Sequence, residues 1–201
     1  MPTHDTESGT SYPGTLVSIS GPSGVGKSTI CRRLAERLGA TLSVSATTRP
    51  KREDEVDGQD YFFVSKDAFE RALAAGQYLE HARVYGGQYY GTPAGPVLEG
   101  LRAGRVVILE IEIEGTIQVV RRFPDTVTVY VLAPTVDDQQ QRLVGRAGDS
   151  EQAIAERLAK ADGEIRYAQD SGAYKCFTVN ANLDATVDRI CDRIRSHHES
   201  S

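Results

Sequence analysis

Cysteine is scarce in this 201-residue chain: Cys31, Cys176 and Cys191 are the only three, and no C-x-x-C spacing joins them. An odd number of scattered thiols excludes a disulfide framework and a structural zinc site, and suits a reducing compartment, the cytoplasm. Histidine is equally thin, with His81 isolated and His197 and His198 in a polar C-terminal stretch, so no metal-ligand pattern forms. No run of about 18 apolar residues occurs, which excludes a transmembrane helix. The first thirteen residues, MPTHDTESGTSYP, lack the cationic start and apolar core of a secretory signal and are expected to form a polar tail. Positive charge is short as well. A net charge of -5 argues against broad binding to polymeric nucleic acid or to a membrane surface, and leaves room only for local cationic clusters.

What is present has the composition of a soluble globular domain, 39% hydrophobic and 25% charged, long enough for one domain with sizeable insertions. Short apolar runs alternate with amphipathic stretches, the pattern of a parallel sheet covered by helices. The runs are TLVSIS (15–20), RVVILEI (105–111), TVTVYVL (126–132) and CFTVN (176–180). Their near-continuous apolar character suits strands buried on both faces. KSTICRRLAERL (27–38) is the first helix, and the last, about 184–195, spaces Val187, Ile190, Cys191 and Ile194 for packing. The expected architecture is an α/β core (14–44, 97–136 and 166–201) carrying a small mixed insertion (45–96) and a helical lid (137–165).

GPSGVGKST, comprising Gly21, Pro22, Ser23, Gly24, Val25, Gly26, Lys27, Ser28 and Thr29, fits G-x-x-x-x-G-K-[ST] with a strand before it and a helix after it. Glycines let the backbone ring a phosphate with its N–H groups, helped by the helix N-terminus. Lys27 then neutralises β- and γ-phosphate oxygens, and Ser28 offers its hydroxyl to Mg2+. This loop predicts a nucleoside triphosphate and Mg2+. It leaves ATPase, GTPase and kinase open, although no N-K-x-D guanine motif of a regulatory GTPase is present.

A kinase needs a second site, and SATTRPKREDEVDGQDYFF (45–63) sets Arg49, Lys51 and Arg52 among five acids. Arginine forks match phosphate oxygens bidentately, and two of them three residues apart can converge on one group. Together with GPSGVGKST, this run, YLEHARVYGGQYYGTP, VVILEIEIEG and LVGRAGDSEQAIAERLAKA occur in the order that resembles guanylate kinases, from about residue 15 to residue 195. The resemblance implies ATP- and Mg2+-dependent phosphorylation of GMP, and of dGMP, to the diphosphate. It implies Arg49, Arg52, Tyr61 and Tyr90 on the acceptor's 5'-phosphate and Glu80 as the guanine-reading carboxylate, with Ser45 and Thr92 as hydroxyl partners. A carboxylate accepts from guanine N1–H and the 2-amino group, whereas adenine offers neither donor. Glu55 is expected to orient the arginines, Asp54 to be solvated surface, and Tyr89 to pack.

A phosphate acceptor is already anionic, so no strong general base is needed, and catalysis rests on alignment and charge neutralisation. The resemblance implies that Arg146 and Arg157 of the lid join Lys27 and Arg49 in that role and that Asn180 lies near the adenine. Arg142 is open between solvated surface and adenine stacking. Three places depart from the family pattern: Glu112 stands where Asp is usual near the guanine and metal site, VYGGQYYG is one residue longer, and GRAGDS and VNANL replace R-G-x-D and N-D-D-L. A protein-interaction module of the same fold is disfavoured by the intact Lys27 and Ser28, and a sugar-phosphate kinase by TTRPKR and the tyrosine-rich insertion. Monomer and homodimer are both compatible with the sequence.

Overall fold

The computed structural model describes residues 12–84, 87–144 and 151–198. Its centre is β1 (Leu16–Ser20), every residue of which is buried. β1 runs parallel to β7 (Val107–Glu110) on one side and β8 (Val127–Leu132) on the other, pairing Val17 with Ile108 and with Val127. β2 (Thr41–Leu42) and β9 (Cys176–Val179) complete a parallel sheet of order β2-β7-β1-β8-β9.

Helices cover both faces, which is why these strands read as unbroken apolar runs. On one face α1 (Lys27–Leu38) and α7 (Leu183–His198) bury Ile30, Leu34, Ile190 and Ile194 against Val17, Ile19 and Val129. Each such fully buried aliphatic side chain contributes roughly 2 kcal/mol. On the other, α3 (Ala94–Arg102) and α4 (Ile113–Arg122) pack Val97, Leu101 and Val119 on Leu16 and Leu109. α6 (Glu151–Asp170) closes that face with Ala168 beside Tyr130 and Tyr174. All strands point one way, so loops at their C-terminal ends share one rim, where ligands of open α/β sheets bind.

The insertion is a four-stranded mixed sheet ordered β4 (Phe62–Phe63), β3 (Ala46–Thr47), β6 (Gln88–Pro93) and β5 (Tyr78–Val84), with α2 (Lys66–Ala74) against it. Phe69 of α2 is fully buried, stacked at 4.4 Å on Tyr78 and 5.3 Å on Tyr89. Ser65 caps α2 by accepting from Ala68 N at 3.2 Å.

Expected and observed borders differ in places. Tyr12 does not belong to a polar tail: its ring packs 5.9 Å from Phe123 beside the α3–α4 core, while residues 1–11 lie outside the described residues. The border drawn at 96 falls inside α3, which packs with the core, so the insertion ends at Pro93. The border drawn at 165 likewise falls inside α6. Three of the strand runs shorten by one residue and RVVILEI by three, and α7 extends to His198. At the sheet's edge, Arg189 of α7 donates to Val179 O of β9 at 3.0 Å and to Thr186 Oγ1 at 3.1 Å, with Phe177 and Val179 exposed.

Candidate active site

The loop after β1 takes the shape its glycines permit. Gly24 and Gly26 have φ of 85° and 95°, left-handed values that side chains rarely adopt. A Cβ on Gly24 would also lie 2.8 Å from Leu143 Cγ of α5 (Val136–Val144). Gly26 caps α1 without a side-chain acceptor, so the first-turn N–H groups face the loop's hollow, an anion site by construction. Lys27 Nζ folds back on the carbonyls of Gly21 and Pro22. Ser28 Oγ donates to Glu110 Oε1 at 2.8 Å.

α5 braces this cradle. Gln139 Nε2 donates to Ser23 O at 2.7 Å, and Arg142 donates to Val25 O at 3.3 Å and Asn180 O at 3.0 Å. Asn180 is buried, and its amide donates to Val25 O at 2.9 Å. The loop's backbone therefore holds Asn180, expected near the adenine, and Arg142, left open between solvated surface and adenine stacking. Both still line a cavity of about 320 Å3 with Gly24, Gly26, Thr29, Ala181 and Leu183. Arg142 is thus tied by its N–H edge, its guanidinium bridging the loop and the β9–α7 turn, and such edge bonds leave the planar face available for stacking. Arg157 lies half-buried on α6, and Arg146 lies outside the described residues.

In the insertion, Arg49 is held by side chains. Its fork donates to both carboxylate oxygens of Glu55, at 2.9 and 2.6 Å, and its Nε donates to Tyr90 Oη at 3.2 Å. The two partners are only 19% and 13% exposed, and the guanidinium holds Glu55 below its ordinary carboxylate range. Glu55 also accepts from Arg52 N at 2.8 Å, which sets the start of the Arg52 side chain, itself exposed. Tyr61 meets Tyr90 edge-on at 5.7 Å. Its hydroxyl is pushed up to about 12, first by burial and then by the charge of Glu110 across the cleft. Of the two arginines that Glu55 was expected to orient through ion pairs, Arg49 is paired with it by its guanidinium and Arg52 is bonded to it by its backbone N–H. Tyr89 packs on Phe69, also as expected.

Glu80 is the buried acid of the site, 4% exposed. Thr92 Oγ1, opposite it across the β5–β6 ladder, donates to its Oε1 at 2.6 Å, and Ser45 Oγ lies 3.4 Å from that hydroxyl. The hydrogen bonds from the Thr92 side chain and backbone do not offset desolvation, and the carboxyl is pushed up to about 7, by burial first and by Glu112 in addition. Gly115 is pressed against it: a Cβ there would be 2.3 Å from Glu80 Oε2. Glu112 itself is exposed at the N-cap of α4, and Gly86 of the longer loop lies outside the described residues.

Glu110 is the site residue that sequence reasoning passed over. Its signal was its place as the last residue of the apolar run VVILE, at the C-terminal end of the strand beside β1. With Ser28 it forms a pair of hard oxygen donors next to the phosphate cradle, a set that fits Mg2+.

The guanylate kinase family model matches residues 13–197. A guanylate kinase of Symbiobacterium thermophilum is 51% identical over 178 residues, 88% of this chain and 82% of that relative. One of Thermosynechococcus vestitus is 48% identical, covering 90% of this chain and 93% of the relative. Among solved structures, a guanylate kinase from Anaplasma phagocytophilum superposes with a TM-score of 0.76 at 28% identity, over 92% of this chain and 86% of that one.

Proposed function

The chain belongs to the guanylate kinase family, whose reaction passes the γ-phosphate of ATP to GMP, and we propose that it does so with the donor in the Gly21–Thr29 cradle and the acceptor in the β3–β6 insertion. The observation that carries this assignment is Glu80, a buried carboxylate whose hydrogen bonds come from Thr92 and whose Oε2 lies against Gly115. Such a group is costly in an empty site and suited to a ligand edge that brings two N–H donors.

The loop N–H groups and the first turn of α1 hold the triphosphate, and Lys27 exchanges the Gly21 and Pro22 carbonyls for β- and γ-oxygens. Mg2+, held by Ser28 and Glu110, would supply charge neutralisation on the phosphates. Arg49 and Arg52, with the hydroxyls of Tyr61 and Tyr90, hold the acceptor's 5'-phosphate, whose anionic oxygen attacks in line without a base. Ser45 and Thr92 fix the orientation of Glu80 against guanine, and Glu112 borders that pocket. Arg146 and Arg157 close over the transferring group, and Arg142 and Asn180 border the adenine. dGMP is a second acceptor, and the setting is cytoplasmic purine nucleotide metabolism; among the described residues no helix is long and apolar enough to cross a membrane.

ADP release with Mg-ATP and GMP, dGMP, AMP, UMP or ribose phosphates tests the assignment. Turnover with GMP and dGMP alone is expected, and no GMP-dependent turnover would overturn it.

A further inference from the structure

β5, which carries Glu80, is an edge strand of its sheet, bonded to β6 alone. Its outer edge is nevertheless occupied. Gln118 of α4 makes a two-way pair with the residue after Glu80, donating from Nε2 to His81 O at 2.7 Å and accepting from His81 N at 3.2 Å. The side-chain amide thus stands in for the peptide of a neighbouring strand. One turn on, Arg122 Nη1 donates to Leu79 O at 3.1 Å. The residues on both sides of Glu80 are therefore tied to α4, and Gly115 of the same helix touches the carboxylate. Gly115, Gln118 and Arg122 fall at i, i+3 and i+7, a single stripe of the helix.

We propose that Gln118, supported by Arg122, is a specificity-determining positioning residue: it fixes the height of Glu80 along the edge strand so that the carboxylate meets the two donors of guanine. The inference rests on Glu80 being the base-reading group. Hydrogen bonds weaken steeply with misalignment, and a strand held from one side only can shift or twist at that edge. α4 begins just beyond Glu110, which bonds Ser28 at the donor cradle. The same helix therefore sets the base-reading carboxylate relative to the phosphate being transferred. The Gln118 amide bonds the backbone of His81 and Glu114, so its effect is read through GMP discrimination.

The test compares Gln118→Met, close in length and volume but without the paired donor and acceptor, with Arg122→Met and Glu80→Gln. Steady-state kinetics are measured with GMP and with inosine monophosphate, which lacks the 2-amino group. Gln118→Met is expected to raise KM for GMP about tenfold with kcat held within about twofold, and to lower the GMP preference by a similar factor. Arg122→Met is expected to show the same pattern at about threefold, with KM for ATP unchanged in both. If Glu80→Gln erases the preference while Gln118→Met and Arg122→Met retain it, the inference is overturned and the reading of Glu80 stands. If Glu80→Gln itself retains the preference, that reading fails and the inference with it. A parallel loss for GMP, inosine monophosphate and ATP would show that Gln118 supports folding alone, and would also overturn it.

Discussion

Around the Lys27 ammonium the polar contacts are made by backbone, whereas around the Arg49 guanidinium all but the one to Pro50 O are made by side chains. The ammonium rests on the Gly21 and Pro22 carbonyls, and the hollow beside it is lined by N–H groups at the start of α1. The guanidinium is gripped by the Glu55 carboxylate and the Tyr90 hydroxyl, with Tyr61 against it. Both regions suit a phosphate, yet a backbone cradle is formed when the chain folds and carries no information about what the phosphate is attached to. A side-chain clamp can be wired to a neighbour such as Glu80 that does. The clamp also needs a counter-ion while it waits, and Glu55 has to share Arg49 once an anion arrives.

Removing Lys27 breaks the contrast at its strongest point. Lys27→Ala is expected to lower kcat about a thousandfold while calorimetric GMP affinity stays within about twofold, because only the donor side loses its charge. On the other side, Arg49→Met should raise KM for GMP about a hundredfold, since it removes a bidentate cation and leaves the Glu55 charge facing the acceptor phosphate. Arg52→Ala should act in the same direction at about tenfold, with KM for ATP unchanged in both variants. Normal GMP kinetics in Arg52→Ala would remove it from the clamp.

Glu80→Gln sharpens the comparison by separating function from stability. The folded carboxyl titrates near 7, against an ordinary 4.5, so between those values the folded chain binds more protons than the unfolded one. Native stability consequently falls as pH rises through that window, and a glutamine escapes the loss. Urea melts should find Glu80→Gln more stable by up to about 3 kcal/mol at pH 8 and equal to the parent near pH 4. GMP use should fall about thirtyfold at pH 8. Below pH 7 the parent should lose GMP affinity faster than the glutamine variant does. The smallest effect belongs to Arg142→Ala, which frees the Asn180 carbonyl while Val25 O keeps the Asn180 amide, and which should raise KM for ATP about fivefold without touching GMP.

The donor cradle was legible because a backbone site is contiguous: nine successive residues name it, and the strand and helix beside it settle its shape. The acceptor residues were legible only through their order along the chain. Ser45, Glu80 and Thr92 are separated in sequence, and the β3–β6 and β5–β6 pairings bring them together. What was not legible is where side chains reach foreign backbone. Nothing in the spacing of Gln139, Arg142 or Asn180 announces a bond to Ser23 or Val25 carbonyls more than a hundred residues away. α4 escaped notice because IEIEGTIQVV is rich in β-branched residues and alternates like a strand; packing on Leu16 and Leu109 overrides that preference. In α3, Pro96 lies in the first turn, where a missing N–H costs nothing. Gly100 is needed for space, since a Cβ there would come within 2.7 Å of Val107 Cγ2.

The arginine that α7 lays across β9 bears on the protein's life at high concentration. A sheet of parallel strands exposes two rims to which any stray extended segment could add. Here one rim is a strand of two residues, Thr41–Leu42, too short to template a partner. On the other, Arg189 occupies the carbonyl of Val179 between two exposed apolar side chains, where a newcomer would otherwise find its first bond. Displacing a charged donor costs more than displacing water, so a further strand adding at this edge meets a barrier that bare backbone would not raise.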